Sequence, residues 1–169
     1  FMGMGEPLNN LDAVSGAVEQ LVSPDAFAFS RRNVCVSTVG PSPQLIRKAG
    51  RLPCRLAWSV HAADDDLRKQ LVPTTRHSMV ELRDAFVETL ANKPGGEKSK
   101  GLLVELALMK GVNDRIEHAE QLSVLLQETF GRGSCDKPSI LCNLIPYNEN
   151  GLGLPGGPLF QSAEMDDVR

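Results

Sequence analysis

The chain has 169 residues, 41% hydrophobic and 23% charged, a composition that indicates one globular domain and excludes a fibrous or disordered protein. No apolar run approaches the roughly 20 residues that cross a bilayer. The net charge of −3 lacks the strongly basic character of most nucleic-acid-binding domains. Basic residues are frequent from Arg31 to Arg76, but Asp64 to Asp66 offset them, and a solvated surface of mixed charge is the simpler interpretation.

Helices and strands alternate in the first part of the chain. Phe1 to Met4 has the character of a strand end, and Leu11 to Val22 carries apolar residues at helical spacing after asparagines that can cap a helix. Val34 to Ser37 is a β-branched run typical of a short strand. Ser42 to Gly50 is predicted as a helix, because its first residue can cap, its second is proline and its last is glycine.

The alternation continues through the middle of the chain. Leu56 to Val60 is a second apolar strand, and Asp64 to Asp66 follows its end, where a short helix begins and its positive pole favours carboxylates. Ser78 and Glu81 have the spacing of a capping box, which predicts a helix that ends before Asn92.

The third predicted strand, Leu102 to Met109, is apolar except for Glu105. A carboxylate in such a strand needs a partner, and the sequence leaves open whether that partner is an arginine or a ligand. Asp114 is predicted to cap the next helix, with Glu117 three residues later. The apolar face of that helix consists of Ala119, Leu122, Leu125 or Leu126, and Phe130.

Loops and one more strand complete the pattern. Lys93 to Lys100 is a polar loop rich in glycine, Ile140 to Ile145 is the last strand, and Pro146 to Pro158 is a loop with several glycines and prolines. Only a polar tail is expected after it. We therefore divide the chain into a folded core, residues 1–148, and a loop with a truncated tail, residues 149–169.

Five strands separated by four helical segments predict an α/β fold with a parallel sheet, either a partial barrel or an open doubly wound sheet. Polar residues follow the predicted strands, and the carboxyl ends of parallel strands share one edge where such folds build their sites. These residues are Glu6, Ser37, Ser59 with His61, Lys110 with Asn113, and Asn148.

The four cysteines are expected to be reduced, because they lack metal-binding spacing and a chain of this length needs no disulfide. Cys35 and Cys142 lie in predicted strands and are expected to be buried, whereas Cys54 and Cys135 lie in loops. The three histidines are dispersed, so no metal site is predicted.

Five sequence blocks, in this order and spacing, closely resemble the radical S-adenosylmethionine methyltransferases that methylate C2 of adenine in large-subunit ribosomal RNA and in tRNA. The blocks are GMGEPLNN (residues 3–10), VSTVG (36–40), WSVHAADDDLRKQLVP (58–73), VELALMKGVND (104–114) and NLIPYN (143–148). The resemblance implies a partial parallel (βα)6 radical-SAM barrel, of which about five βα units are present, from the second strand to the sixth.

The resemblance also implies a cofactor pocket. The glycine–glutamate turn at Gly5 and Glu6 would hold the amino group of S-adenosylmethionine, a cation that requires carbonyl or carboxylate acceptors. The further positions that match cofactor contacts are Ser37, Ser59, Val60, His61 and Asn148. For any one of these residues alone, a structural role in a turn or at a strand end is an equal alternative.

Two parts of the family pattern are absent. The resemblance implies a [4Fe–4S] cluster held by a CxxxCxxC motif, which is expected upstream of Phe1, and two further cysteines that take part in methyl transfer. None of the four cysteines present matches these positions, so the chain is expected to contain no catalytic residue and no metal ligand. We expect an internal fragment that is inactive alone and binds S-adenosylmethionine weakly at most.

For the parent protein, the resemblance implies a monomeric enzyme without membrane association, with ribosomal RNA and tRNA as substrates. It also implies an electron donor such as flavodoxin or ferredoxin and a cytoplasmic location, or an organellar one if a transit peptide preceded the chain. Two alternatives remain open. One is a non-catalytic RNA-binding or assembly module, and the other is an unrelated α/β-barrel enzyme for a phosphorylated metabolite, with Lys110–Gly111 as its weak phosphate-binding candidate.

Overall fold

The computed structural model describes residues 1–74, 76–93, 101–127, 139–154 and 156–164, and it has the α/β fold expected from the sequence. Five α-helices and four β-strands lie along these residues. In chain order they are α1 (Leu11–Val22), β1 (Cys35–Thr38), α2 (Pro43–Ala49), β2 (Arg55–Ser59), α3 (Asp65–Leu71), α4 (Met79–Ala91), β3 (Leu102–Leu108), α5 (Ile116–Gln127) and β4 (Ile140–Pro146). Short 3₁₀ turns at Pro7–Asn10 and Arg31–Asn33 precede α1 and β1.

The four strands form one parallel sheet in the order β1-β2-β3-β4. The expected fifth strand is absent from the described residues, because Phe1 to Met4 forms no strand of its own. Phe1 nevertheless lies beside β1: its amino group donates to the Cys35 carbonyl at 2.6 Å, and the Ser37 N–H donates to the Phe1 carbonyl at 3.1 Å. These two bonds follow the pattern of a neighbouring parallel strand.

Helices cover one face of the sheet and enclose the core. Trp58 on β2 stacks on Phe86 of α4 with ring centroids 4.9 Å apart, and both side chains are fully buried. Ile46 of α2 and Leu82 of α4 are likewise buried in this cluster. β1, β2 and β3 are mostly buried and correspondingly apolar, whereas β4 is exposed along most of its length. The helices are apolar only on the side that faces the sheet.

The last described residues return to the sheet. Ala163 is 4% exposed and belongs to the hydrophobic core, and its N–H donates to the Leu108 carbonyl at the end of β3. The Lys110 N–H donates to the Gln161 carbonyl, and Met109 pairs with Ser162 in an antiparallel bridge. The prediction of only a polar tail was therefore wrong for these residues. A contact made by a single apolar residue such as Ala163 leaves no periodic pattern in the sequence, so it could not be recognised there.

Most of the predicted elements are confirmed, often to within one or two residues. Ser42 caps α2 by accepting from the Leu45 N–H, and Ser78 and Glu81 form both bonds of the predicted capping box. Asp114 does not cap α5: both of its carboxylate oxygens accept from the Gly111 N–H at 3.0 Å. A short polar side chain readily bonds a nearby turn in this way instead of a helix end.

Three predictions about burial need correction. Cys142 is exposed and Cys35 is only partly buried, whereas Cys54, expected in a loop, is buried there. Ala119 is exposed on α5, where Leu125 and Leu126 make the buried face. Phe130, Cys135 and most of the predicted loop from Lys93 to Lys100 lie outside the described residues. No helix within the described ranges combines the length and hydropathy needed to cross a membrane.

Candidate functional site

A cavity of about 590 Å³ opens at the carboxyl ends of β1, β2 and β3. The volume is in the range of small-molecule binding sites. Its lining is provided by the N-terminal segment from Phe1 to Pro7, by Asn10 and Val14, and by Ser37, Thr38, Val39, Ser59, His61, Glu105, Ala107 and Ile145. The site therefore lies where parallel sheets usually bind ligands.

The turn from Gly3 to Glu6 forms one wall of the cavity. Gly3 and Gly5 have φ of +111° and +75°, and a Cβ at either position would meet no atom within 4 Å, so the conformation and not crowding requires glycine. No described residue donates a hydrogen bond to the carbonyls of Gly3, Met4 or Gly5. The exposed turn thus presents carbonyl oxygens at the cavity mouth.

The Glu6 carboxylate joins this turn to the end of β1. One oxygen accepts from the Leu8 N–H at 2.9 Å and from the Thr38 hydroxyl at 2.7 Å, and the other accepts from the Val39 N–H at 2.8 Å. Glu6 therefore caps the first 3₁₀ turn and positions the loop after β1. Because a carboxylate has about four acceptor sites, the second oxygen can accept one more donor from the cavity.

A cluster of polar side chains from β1, β2 and β3 lies at the floor of the cavity. The Ser37 hydroxyl donates to the Glu105 carboxylate at 2.8 Å and lies 3.1 Å from the Ser59 hydroxyl. Glu105 is only 4% exposed, and no described arginine or lysine forms an ion pair with it. The ligand-facing alternative for Glu105 thus fits the geometry better than the structural ion pair. A largely desolvated carboxylate can still accept hydroxyl donors from a ligand.

His61 is neutral and oriented by the protein. Burial, together with the smaller effect of the nearby Arg68 guanidinium, lowers the pKa of its imidazole to about 4. Nδ1 accepts from the Ala107 N–H at 3.1 Å, so the proton of the neutral ring resides on Nε2. Its φ of +59° is held by Asn113, whose amide donates to the His61 carbonyl at 2.7 Å. The ring offers one fixed N–H donor at the cavity.

Arg68 lies behind the cavity wall. It is 1% exposed, and its Nη2 donates to the Val39 carbonyl at 2.7 Å, while Nε and Nη1 have no partner among the described residues. Burial lowers the pKa of this guanidinium to about 10, although the Glu6 carboxylate opposes the change. The Val39 peptide is thus held between Glu6 on its N–H and Arg68 on its carbonyl. This arrangement fixes the loop that follows β1.

Five predicted site residues line the cavity: Gly5, Glu6, Ser37, Ser59 and His61. Val60 is fully buried in the core, and Asn148 is exposed after β4, outside the lining. Sequence reasoning missed Thr38 and Arg68 and set aside Glu105. The isolated carboxylate in an apolar strand was the signal for Glu105, but its partner Ser37 is 68 residues away. Lys110, the phosphate-binding candidate, instead contacts the Glu164 carboxylate at 2.5 Å.

Sequence comparison identifies relatives over most of the chain, although no family model matches. A dual-specificity RNA methyltransferase RlmN of Ruthia magnifica is 43% identical over 149 residues, 88% of this chain and 38% of the relative. A probable enzyme of the same name from Nocardioides is 43% identical over 171 residues, 99% of this chain and 42% of the relative. Over most of its length the chain is similar to these RlmN enzymes. It spans about two fifths of the length of these RlmN relatives.

Two solved structures are also similar to this chain. A radical SAM methyltransferase from Sphaerobacter thermophilus is 31% identical with a TM-score of 0.78, over 99% of this chain and 44% of that one. A domain of a pyruvate-formate lyase-activating enzyme from Bacteroides vulgatus has a TM-score of 0.64 at 15% identity, over 99% of this chain and 86% of that one. The second similarity concerns the fold alone. The four-stranded sheet is thus part of a radical-SAM-type barrel.

An iron–sulfur cluster, which RlmN-type radical enzymes imply, does not fit the residues described. No group of three or more cysteine, histidine, aspartate or glutamate side chains is placed to hold a metal within the described ranges. Cluster ligands are thiolates, and burial raises the pKa of Cys54 to about 11 and also raises that of the Cys35 thiol. The described cysteines therefore favour the protonated thiol, and we assign no step of a reaction to them.

Proposed function

We propose that this chain forms the S-adenosylmethionine-binding part of a radical enzyme that methylates C2 of adenine in large-subunit ribosomal RNA and in tRNA. The observation that carries the proposal is the cavity at the carboxyl ends of the strands, lined by the Gly5–Glu6 turn, Ser37, Ser59, Glu105 and His61. The names of the relatives support RNA methylation. The position of methylation and the RNA classes rest on the resemblance of the five sequence blocks.

The residues present suit the cofactor in charge and hydrogen bonding. The open carbonyls between Gly3 and Gly5 and the second Glu6 oxygen are acceptors for its ammonium group. Ser59 and Glu105 are suited to ribose hydroxyls, and the His61 Nε2–H is a donor for an acceptor on the ligand. S-adenosylmethionine, when bound, supplies the methyl group and the precursor of the radical. Val60 and Asn148 stay predictions as cofactor contacts.

Binding of S-adenosylmethionine by this chain alone should be weak, because the cluster that would anchor the cofactor has no ligands among the described residues. We therefore propose that the chain alone is inactive. We also propose that the complete activity uses an electron donor of the flavodoxin or ferredoxin type, together with RNA, in the cytoplasm or an organelle. A monomeric state is part of this proposal.

Titration of the isotope-labelled chain with S-adenosylmethionine tests the pocket. We expect shifts of the Ser59 and His61 amide signals with weak affinity, and about a tenfold weaker affinity after Glu105→Gln, since one charge-assisted hydrogen bond is worth about 1.5 kcal/mol. Val124→Ala, on the exposed side of α5, is the matched control with unchanged affinity. Absence of any shift would refute the pocket, whereas tight stoichiometric binding in calorimetry would refute the proposed dependence on the cluster.

A chimera tests the reaction. The matching segment of the Ruthia magnifica enzyme, which is 43% identical, is replaced by this chain so that the host provides everything outside it. The reconstituted chimera is expected to methylate adenine at C2 in ribosomal RNA and tRNA, detected by mass spectrometry of nuclease digests. A chimera that binds its cluster normally but methylates neither RNA would contradict the proposal. A C8 product would contradict the proposed position.

A further inference from the structure

The loop between α1 and β1 holds two phenylalanine side chains in solvent. Phe27 is 64% exposed and Phe29 is 51% exposed. Their ring centroids are 6.2 Å apart, and the ring planes are inclined by 53°. Single exposed apolar residues need no explanation, but two adjacent exposed aromatic rings form an apolar patch of the kind that marks interaction sites.

The backbone of this loop is fixed by hydrogen bonds to the end of α1. The Ala28 N–H donates to the Ser23 carbonyl at 2.9 Å, and the Phe29 N–H donates to the Leu21 carbonyl at 2.8 Å. Ala28 has a φ of +53°, a left-handed conformation that is unfavourable for a residue with a Cβ. A strained and hydrogen-bonded loop therefore presents both rings in a defined arrangement.

Arginines follow the aromatic pair directly. Arg31 and Arg32 form the exposed 3₁₀ turn before β1, and no described carboxylate makes an ion pair with either guanidinium. Exposed acids at the same end of the molecule are Glu19 near the end of α1 and Asp25 in the loop. The paired phenylalanines thus have two available cations beside them. We call Phe27, Phe29, Arg31 and Arg32 the aromatic–arginine surface.

This surface lies at the opposite end of the sheet from the cofactor cavity. Its loop leads into the amino end of β1, whereas the cavity is lined by residues at the carboxyl ends of the strands, among them Thr38 and Ser59. Since β1 has only four residues, the sheet is short here, and an elongated ligand can contact both ends. The surface is therefore a second contact region and not an extension of the pocket.

We propose that the aromatic–arginine surface binds an unpaired segment of RNA, with bases stacked on the phenylalanines and phosphates on the arginines. The inference rests on the proposed function, which provides RNA as the partner. Aromatic rings accept any base face, and arginine forms bidentate bonds with phosphate, so the two residue types together fit single-stranded RNA better than duplex. The combination of exposed aromatic rings with two guanidiniums favours RNA over a protein, which is the competing occupant.

Fluorescence anisotropy with the 169-residue chain tests the surface. The probes are a fluorescein-labelled single-stranded RNA of about 12 nucleotides and a hairpin that pairs the same sequence. Phe27→Ala/Phe29→Ala is expected to weaken binding of the single strand at least tenfold without changing the salt dependence, because stacking is worth about 1–3 kcal/mol per base. Phe27→Leu/Phe29→Leu should lose as much, since leucine keeps the apolar area but has no aromatic face.

Salt dependence separates the role of the arginines. Arg31→Gln/Arg32→Gln is expected to reduce the slope of log K against log salt by about 1.4, which corresponds to about 0.7 for each phosphate contact on a single strand. The control for charge is Arg47→Gln/Arg83→Gln, which removes two arginines that already pair with Glu88 and Asp84. This control should leave the slope nearly unchanged.

Three results would overturn the proposal: unchanged affinity of the alanine variant, wild-type affinity of the leucine variant, or equal slopes for the two arginine pairs. Wild-type affinity of the leucine variant would indicate a general apolar contact, as for a protein partner. The cofactor titration is carried out on the same samples. Normal shifts at Ser59 and His61 together with any of these results refute the RNA surface alone, whereas loss of cofactor binding in the unmodified chain refutes the proposed function.

Discussion

Acid should destabilise this protein through His61. The pKa of the ring is about 4 in the folded state and 6.5 as its ordinary value, so between these pH values the unfolded state binds the proton and the folded state does not. Stability therefore falls as the pH drops below about 6.5. The loss attributable to His61 is complete below about pH 4 and amounts to about 3 kcal/mol.

The matched variant is His61→Asn. Asparagine tolerates the positive φ of this position, and its amide oxygen can replace Nδ1 as the acceptor for the Ala107 N–H, but it does not titrate. Other acid-sensitive groups are common to both proteins, so they cancel when the two free energies of unfolding are subtracted. The difference between the two free energies of unfolding therefore gives the contribution of the His61 imidazole to the pH dependence.

Urea unfolding at pH 7 and pH 5 measures the effect. Relative to the asparagine variant, the wild type should lose about 2 kcal/mol between these pH values. A difference between wild type and variant that is the same at both pH values would refute the conclusion that His61 is buried as a neutral ring. It would also remove the argument that Nε2 is a fixed donor in the cavity.

Three further predictions concern packing and reactivity. Gly50→Ala should cost about 1–3 kcal/mol, because its Cβ would lie 2.1 Å from Thr89 Cγ2, and Gly50→Ala/Thr89→Ser should recover most of this loss in urea unfolding. A double-mutant cycle of Ser37→Ala and Glu105→Gln should give a coupling free energy of about 1–3 kcal/mol, since their bond is buried and charge-assisted; additivity would contradict it. The Cys54 thiol, with its pKa raised to about 11, should resist Ellman's reagent at pH 8 until urea unfolds the chain.

Local signals made much of the fold predictable. The Ser42 cap with its proline and the Ser78–Glu81 capping box involve residues within one helical turn, so the sequence contains the whole interaction. β1, β2 and β3 were recognisable as apolar runs because these parallel strands are mostly buried. Burial on β4 was less predictable. Whether a strand residue such as Cys142 is buried depends on which elements pack against the strand, and the sequence of the strand does not contain this information. Cys142 is in fact exposed.

The candidate site was predictable in position but not in connectivity. Polar residues at strand ends indicated the correct edge, yet the role of Glu6 as a cap and as an acceptor for Val39 depends on a contact across 33 residues. Glu105 is a similar case, because its hydroxyl partner comes from another strand. Arg68 gave no distinctive signal, since an arginine in a short polar helix ordinarily points to solvent. Long-range hydrogen bonds of this kind require the tertiary structure.

The return of the chain to the end of β3 has a consequence for synthesis. The helices and strands up to α4 can pack on one another as soon as they emerge from the ribosome, since domains begin to fold from the N-terminal side. The Leu108 carbonyl accepts from the Tyr147 N–H once β4 has been made, but its second bond and the core position that Ala163 fills are missing until 55 residues beyond Leu108 have been translated. During that interval the end of β3 exposes apolar surface, so a ribosome stalled before Ala163 should carry a nascent chain that chaperones bind and proteases cut.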